Sequence, residues 1–311
     1  MREVLTPNSP GASPKVRAAA VSLVTGVAIL GLKLGAYWVT GSVAFLSDAA
    51  ESIVNIVAAN IALVSLIVAT RPPDRDHQYG HAKAEYVSSA TEAAMIAIAG
   101  LFIIGTAVNR LIHPQALERV PLGLGLLGGA ALANLAVAAM LLRVSRAEQS
   151  IALEASAKHL LSDVLTSIGV FAGVALVGLT GWAPLDPIAA VIVGGNIIWM
   201  GVSLYRRSVG GLLDARLPAE DEAKIRAILD AHTNEIVEYH ALRTRQAGAT
   251  RFLDLHLVLH RTLTVGDAHT LTDDLEQHIG DALPGTDVTI HVEPCGASCQ
   301  RCGTAGRSTR R

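Results

Sequence analysis

The chain has 311 residues, of which 51% are hydrophobic and only 17% are charged. Its mean hydropathy of +0.42 excludes an ordinary soluble protein of this size and indicates an integral membrane protein. The formal net charge of −2 points to no particular partner, and we expect no nucleic acid as a ligand. The sequence contains no nucleotide-binding loop, so we expect no nucleotide either.

Six apolar segments are long enough for membrane helices, which need roughly 20 mostly apolar residues. They lie near residues 17–40, 42–69, 87–111, 120–142, 151–180 and 185–205. We therefore predict an all-α membrane bundle of six transmembrane helices over residues 15–211, preceded by a disordered tail of residues 1–14. The first apolar run is too long for a cleavable signal peptide and lacks a small-residue cleavage site.

Basic residues at the ends of these segments predict the orientation, because Lys and Arg are enriched in cytoplasmic loops. One set of ends carries Lys15, Arg17, Arg71, Arg75, Lys83, Arg143, Arg146, Arg206 and Arg207. The other set carries only Arg110 and Arg119. We therefore expect a multi-pass protein of the cytoplasmic membrane, in contact with the lipid bilayer, with both termini in the cytoplasm.

The second segment carries a row of polar side chains where a lipid-facing helix would carry Leu or Val. In GSVAFLSDAAESIVNIVAAN, residues 41–60, Asp48, Glu51 and Asn55 are three and four residues apart and so share one helix face. The fifth segment repeats this spacing with His159 and Asp163. Glu51 and His159 have the same sequence offset as Asn55 and Asp163, which indicates a weak internal duplication of the kind that places a transport site between repeats.

The polar row needs a partner, because a carboxylate in the hydrocarbon core costs about 2.5 to 3.5 kcal/mol on insertion scales. If the two helices face each other, two carboxylates, an amide oxygen and an imidazole converge. This set would form a four-coordinate shell for a divalent transition metal. The alternative is that these groups only hydrogen-bond one another and hold the bundle together.

After Asp214 charged residues become frequent and the apolar runs shorten, which predicts a cytoplasmic α+β domain over residues 212–295. Its expected order is helix, two strands, helix, strand, read from helical spacing in 218–232 and 265–283 and from alternation in 251–260 and 288–294.

The chain ends in a stretch that we expect to be a disordered tail, residues 296–311, rich in Cys and Arg. The run of Cys295, Cys299 and Cys302 lies in a reducing compartment, which excludes a disulfide framework. Such a run is also able to hold a soft metal.

At these motifs the sequence resembles the cation diffusion facilitator family, whose members export divalent metals, commonly zinc, in exchange for protons. The resemblance covers nearly the whole chain. It rests on GSVAFLSDA, AKHLLSDVLTS, HQYGHAKAE and LLDARLP, and on HALRTR, DLHL, AH and IHVEP in the soluble domain. It implies six transmembrane helices, a cytoplasmic domain of metallochaperone-like α+β fold, and a homodimer.

The resemblance also implies a transport site in the membrane. His159 and Asp163 match the ligands of the fifth helix, and Glu51 and Asn55 occupy the ligand positions of the second. Zinc transporters of the family usually carry His or Asp at the position of Glu51 and Asp at that of Asn55, so the departure leaves the identity of the metal open. Asp48 becomes a candidate auxiliary ligand or proton acceptor.

Two further metal sites follow from the same resemblance. Asp74, His77 and His81 match a site at the cytoplasmic surface, where His77 and His81 would suit one metal if their segment is helical; the alternative is a pair of solvated loop histidines. The soluble domain matches a binuclear regulatory site, formed by His240, His256, His269, His291 and Glu293. The histidines that match nothing are expected to be ordinary surface residues: His113, His232, His260 and His278.

Together these features predict a proton-coupled exporter of divalent transition metals, with zinc first and iron, manganese, cobalt, nickel or cadmium as alternatives. The divalent metal is expected to be both substrate and regulator. A membrane-anchored metal sensor without transport is a second alternative. A hydrolytic metalloenzyme is disfavoured because H-E-x-x-H and similar motifs are absent from the sequence.

Overall fold

The computed structural model describes residues 13–40, 43–113, 120–182, 184–296 and 299. The chain forms two compact units, Met1–Leu212 and Leu213–Arg311. The first is helical and the second contains both helices and strands, so the predicted combination of a helical domain and a small α+β domain is confirmed. The predicted tails, residues 1–14 and 296–311, fall almost wholly outside the described residues.

The first unit contains long helices of 27 to 30 residues. At 1.5 Å per residue each extends about 40 Å, which exceeds the roughly 30 Å of a bilayer's hydrocarbon core. They are α1 (Pro14–Thr40), α2 (Val43–Ala69), α3 (Ala84–Ile112), α4 (Val120–Glu148), α5 (Ile151–Thr180) and α6 (Leu185–Leu212).

Four stretches in the described part of the chain are long and apolar enough to cross a membrane by length and composition: Pro14–Gly35, Ala84–Ile112, Gly128–Glu148 and Pro187–Leu212. In α2 the corresponding described stretch, Asn55–Ala69, is shorter. An integral multi-pass membrane protein is therefore confirmed, and six membrane spans stay a prediction.

Helix α5 contributes side chains to two buried clusters in the described part of this unit. Its Ala152, Leu153 and Ala157 pack in a cluster with Leu66 of α2 and Leu141 of α4. Ala155 belongs to a second cluster, formed with Ala93 and Ile96 of α3 and Ile197 and Leu204 of α6. Small side chains on several faces of α5 let neighbouring helices approach closely. The helix that carries the predicted histidine and aspartate is thus fixed by its neighbours.

The start of α5 is held by a buried polar contact. Ser150 caps the helix by accepting a hydrogen bond from the Leu153 backbone N–H, as N-cap serines commonly do. Its hydroxyl also donates to Glu85 Oε2 of α3 at 2.6 Å, and Lys15 Nζ of α1 lies 3.0 Å from Glu85 Oε1. Glu85 is almost fully buried, so this ion pair joins the beginnings of three helices.

The second unit is a three-stranded sheet with two helices. Its elements are α7 (Ala219–Ala231), β1 (Glu238–Ala247), β2 (Thr250–Leu259), α8 (Val265–Ala282) and β3 (Thr286–Pro294). The strand order is β1-β2-β3, with β1 antiparallel and β3 parallel to the central β2. The predicted order of helix, two strands, helix and strand is therefore correct, and α8 begins with a capping box between Thr264 and Asp267.

Alternation along β2 separates a buried face from a polar face, as expected for a strand covered on one side. Leu253, Leu255, Leu257 and Leu259 are buried with side chains of both helices, including Leu229 and Ile279. The intervening residues Asp254 and His256 point away from this core. Three of the four predicted regulatory histidines stand on this polar face of the sheet.

Candidate metal sites

The first candidate site lies between α2 and α5. Asn55 Nδ2 donates a hydrogen bond to Asp163 Oδ2 at 2.8 Å, and His159 Nε2 lies 2.9 Å from Asn55 Oδ1. Only 7% of His159 is exposed. Asn55 thus links the imidazole to the carboxylate. The amide oxygen of Asn55, the imidazole nitrogen of His159 and the carboxylate of Asp163 are available to one bound cation. Since Asn55 Oδ1 is an acceptor, His159 Nε2 must carry its proton in this arrangement and lose it before binding a metal.

Hydroxyl groups on α5 surround the same residues but bond mainly to the backbone. Thr166 Oγ1 and Ser167 Oγ donate to the Asp163 carbonyl at 2.8 and 2.9 Å, and Ser162 Oγ donates to the His159 carbonyl at 2.6 Å. Such back-bonding uses the hydroxyl hydrogens and often bends a helix slightly. The Asp163 carboxylate is left facing Asn55.

Two predicted residues of this site, Asp48 and Glu51, belong to α2. Their side chains lie outside the described residues, so the part they play at the site stays a prediction.

The site opens into a cavity of about 80 Å³. A water molecule needs roughly 10 to 15 Å³ on this measure, so the cavity has room for a cation together with some of its water. Polar residues from five helices contribute to its lining, among them Thr25, Lys33, Ser52, Asn55, Glu92, Asn134, Ser156, His159 and Asp163.

Glu92 of α3 is a cavity residue that the sequence analysis missed. Its side chain is fully buried, and its Oε1 accepts hydrogen bonds from Ser156 at 3.1 Å and from Ser88 at 3.4 Å. Its Oε2 has no hydrogen-bond partner among the described residues. Ser156 precedes His159 by one turn of α5, so Glu92 places a carboxyl beside the predicted site. The sequence did contain a sign of this role, because Glu92 is an ionisable residue inside the apolar run of residues 87–111.

The second candidate site is in the connection between α2 and α3. Asp74 Oδ1 lies 3.2 Å from His77 Nδ1, and Asp74 Oδ2 lies 3.2 Å from His81 Nε2. The three ligand atoms all lie within 4.8 Å of one another. The segment is not helical, the condition under which His77 and His81 were expected to suit one metal, because residues 71–83 form bends and turns and Gly80 has a φ of +80°.

The turn holds the Asp74 carboxylate in place through backbone hydrogen bonds. Its Oδ1 accepts backbone N–H bonds from His77 at 2.6 Å and from Asp76 at 3.0 Å, which is the side-chain turn typical of aspartate. The hydrogen bond from the His77 backbone is the largest cause that lowers the pKa of Asp74 below its usual value. This carboxyl is therefore ionised at neutral pH and able to bind a cation.

The third candidate site lies on the polar face of the sheet. His240 pairs with His256 across β1 and β2, and His256 pairs with His291 across β2 and β3. Glu293 lies among these rings, with one oxygen 2.9 Å from His256 Nδ1 and 3.8 Å from His291 Nε2, and the other 3.7 Å from His240 Nε2. Three strands thus bring three imidazoles and a carboxylate together.

His269 does not join this cluster within the described chain. It stands on α8, where its Nε2 lies 3.6 Å from Asp273 Oδ2 of the same helix. Helix α8 packs its Leu275 and Ile279 against the buried face of the sheet, whereas the cluster occupies the opposite face. The structure therefore brings four of the five residues of the predicted regulatory site together.

A fourth group combines two cysteines of the predicted run with a histidine that was not expected to join them. His260, Cys295 and Cys299 have ligand atoms within 4.8 Å of one another. His260, expected to be an ordinary surface residue, is half-buried and lies beside both thiols. Cys302, the last cysteine of the run, lies outside the described residues.

Known proteins share sequence with both units. The family model of the cation efflux transmembrane domain matches residues 19–213, and that of the cation efflux protein cytoplasmic domain matches residues 217–295. An uncharacterized transporter of Synechocystis sp. is 42% identical over 276 residues, which are 89% of each protein. The cation-efflux pump FieF of Klebsiella pneumoniae is 33% identical over 278 residues, which are 89% of this chain and 92% of the pump.

Among solved structures, the metal-bound C-terminal domain of the CzcD transporter from Thermotoga maritima is 30% identical to this chain. The match covers 26% of this chain and 93% of that domain, with a TM-score of 0.24.

Proposed function

The chain belongs to the cation diffusion facilitator family and is a cation efflux transporter, not an enzyme; from this premise we propose that it exports divalent transition metals, zinc first, in exchange for protons. The observation that carries the proposal is the contact of Asn55, His159 and Asp163 beside a cavity lined by five helices. Ionisable groups inside a bundle of membrane helices mark ion pathways.

The donor set supports a borderline transition metal rather than calcium or magnesium. An imidazole nitrogen suits zinc, iron, cobalt and nickel, whereas calcium and magnesium bind through oxygen alone. With Glu51 as the fourth ligand, one turn from Asn55 on α2, the shell would be tetrahedral and suit zinc. Iron, manganese, cobalt, nickel and cadmium remain the alternative substrates, because an amide oxygen replaces a second aspartate.

Proton exchange follows from the chemistry of the same ligands. A metal binds to neutral imidazole and ionised carboxylate, so protons and metal compete for His159 Nε2 and the Asp163 oxygens. Loading from the cytoplasm and release on the other side then require only that the cavity opens to each side in turn. No covalent step is needed.

A flux panel tests this proposal. Purified protein in sealed proteoliposomes is supplied in turn with zinc, iron, manganese, cobalt, nickel and cadmium, and entry of each metal is followed with an internal indicator. We expect transport of zinc above the rate of protein-free vesicles. A membrane-anchored sensor would bind metal and transport none of the six.

Glu92 is proposed to contact the cation inside the cavity. We expect Glu92→Gln to raise the metal concentration for half-maximal flux by about tenfold, which corresponds to about 1.4 kcal/mol, because the cavity loses a carboxyl group able to bind a cation while the shape of the side chain is kept. Flux measured against zinc concentration checks this. Glu148→Gln, the same change at the end of α4 and outside the cavity lining, is the control, and equal zinc dependence in the two variants would exclude the role.

We propose that the full molecule has six membrane spans, both termini in the cytoplasm, and a homodimeric assembly. The match to the cytoplasmic domain of the family supports the dimer. The histidine cluster of the sheet would then bind metal in the cytoplasm and favour the approach of the two soluble domains, so that transport rises with cytoplasmic metal. The Asp74 site would add a second cytoplasmic binding point.

His256→Ala is expected to weaken this metal-dependent approach, because His256 is the residue of the cluster that contacts Glu293 most closely, at 2.9 Å. Flux at limiting zinc should fall several-fold without being abolished. Energy transfer between dyes on the two soluble domains and zinc flux are the measurements, and His278→Ala on the exposed side of α8 is the control. Energy transfer that responds to zinc equally in both variants would contradict the regulatory assignment.

A further inference from the structure

We propose a separate soft-metal site at the end of the sheet, formed by His260, Cys295 and Cys299. Each of the three offers one ligand atom, and these atoms lie within 4.8 Å of one another. The site goes beyond transport, because it needs neither the membrane cavity nor the cluster around Glu293. Its ligand is a thiophilic divalent cation, zinc or cadmium.

The register of two parallel strands brings His260 and Cys295 together. Leu259 pairs with Pro294 as the last rung of β2 and β3, and the next residues of the two strands are His260 and Cys295. The Cys295 backbone N–H donates to the Leu259 carbonyl at 2.8 Å, so the ladder continues to this position. Because neighbouring strands lie about 4.8 Å apart, the side chains of His260 and Cys295 lie side by side at the same end of the sheet.

A backbone hydrogen bond holds Cys299 at the same end of the sheet. The Cys299 backbone N–H donates to the Gly296 carbonyl at 3.1 Å. Gly296 directly follows Cys295, and the second thiol lies beside the first. Two thiols close in sequence, with an imidazole from a neighbouring strand, form the kind of Cys- and His-rich arrangement that zinc occupies in small domains.

The donor atoms determine which cations fit. Thiolates are soft ligands and select zinc and cadmium over manganese and magnesium, which prefer oxygen. Cys295 is only 3% exposed, so a metal bound there would be held partly out of water. The cluster around Glu293 has histidine and carboxylate ligands and no thiol, and the two sites therefore differ in preference.

The two soluble-domain sites are also separate in space. His256 and His260 are four residues apart on an extended strand, which corresponds to about 13 Å at 3.3 Å per residue. One metal ion is too small to bridge this distance. Loss of one site should therefore leave the other able to bind metal.

Cadmium titration of the full-length protein in detergent tests the site. The protein carries Cys302→Ser throughout, so that Cys295 and Cys299 are its only cysteines, and is kept reduced and metal-free before titration. We expect cadmium to produce the ultraviolet charge-transfer absorption of thiolate–cadmium bonds. Cys299→Ser should weaken the binding that gives this absorption at least tenfold, and His260→Ala should weaken it by a similar factor, since each removes a ligand.

Two controls show whether the absorption belongs to this site. His278→Ala changes an exposed histidine of the same domain, and His256→Ala removes a residue of the other cluster; both should leave the cadmium absorption unchanged. An absorption that persists at full strength and affinity in His260→Ala would overturn the assignment of the imidazole.

X-ray absorption of the cadmium-loaded protein tests the site without any ligand substitution, so its result does not depend on whether the variants fold. With Cys302 absent, the site predicts two sulfur neighbours and at least one nitrogen neighbour per thiolate-bound cadmium. A cadmium shell of oxygen and nitrogen only would overturn the proposal, as would the absence of any charge-transfer absorption in the starting protein.

Discussion

Asp163→Asn is expected to abolish cation flux, with transport falling by more than about 100-fold. Even the loss of a group that only supports a ligand costs 10- to 100-fold in metal affinity or activity, and Asp163 is itself the carboxylate that faces Asn55 at 2.8 Å. Asparagine keeps the size of the side chain but removes the charge. His159→Ala, which removes the buried imidazole, should have an effect of the same order. Zinc flux in proteoliposomes is the measurement.

Folding has to be separated from function in these variants. Each should elute from size exclusion at the wild-type position and keep its helical circular dichroism. Asp254→Asn makes the same chemical change on the sheet, at a half-exposed residue whose carboxylate lies 3.5 Å from Arg243, and should retain wild-type flux. Wild-type flux in Asp163→Asn would remove this residue from the transport site.

Asn55→Asp is expected to tighten metal binding and to make transport depend more steeply on pH. In the structure the Asn55 amide donates to Asp163 Oδ2, so the variant replaces a donor by a second carboxylate at hydrogen-bond distance. Two such carboxylates cannot both stay ionised without a cation and must share a proton. A dication displaces that proton and gains an additional anionic ligand.

Zinc binding and zinc flux over a range of pH test this expectation. Apparent zinc affinity at neutral pH should rise about tenfold or more, release should depend more strongly on protons, and maximal turnover should fall because the metal leaves more slowly. Glu51→Gln should shift affinity in the opposite direction. If both variants keep the wild-type affinity and pH dependence, Asn55 and Glu51 serve packing rather than cation binding.

Local spacing predicted the part of the candidate transport site that lies on single helices. His159 and Asp163 share a face because residues four apart do so on any α-helix, and the same rule applies to Glu51 and Asn55. The approach of α2 to α5 was also expected from the resemblance. The position of Glu92 was not, because it depends on how α3 packs against α5 through Ala93 and Ala155, and sequence spacing does not show which helices pack together.

In the connection between α2 and α3, His77 and His81 were expected to suit one metal if the segment was helical, and turns were found instead. Asp74 bonds to the backbone of the next residues, and such side-chain bonds compete with helix formation. The residues nevertheless meet, because the turn brings His77 and His81 to the same carboxylate.

In the soluble domain, too, the sequence predicted local patterns but not the contacts between segments that are distant along the chain. Alternation correctly separated the leucines of β2 from His256, since successive side chains of a strand alternate between faces. His260 was overlooked because its neighbour Cys295 is distant in sequence and is brought near only by the register of β2 and β3. His269 was grouped with the sheet histidines by resemblance, yet in this chain its helix covers the other face.

Simultaneous recording of zinc and pH inside proteoliposomes tests proton-coupled export most directly. Vesicles that contain wild-type protein should accumulate zinc when a proton gradient is imposed, and zinc added without a gradient should drive protons in the opposite direction. Both signals should disappear in Asp163→Asn and persist in Asp254→Asn. Zinc entry that leaves the internal pH unchanged, or that continues in Asp163→Asn, would contradict the account.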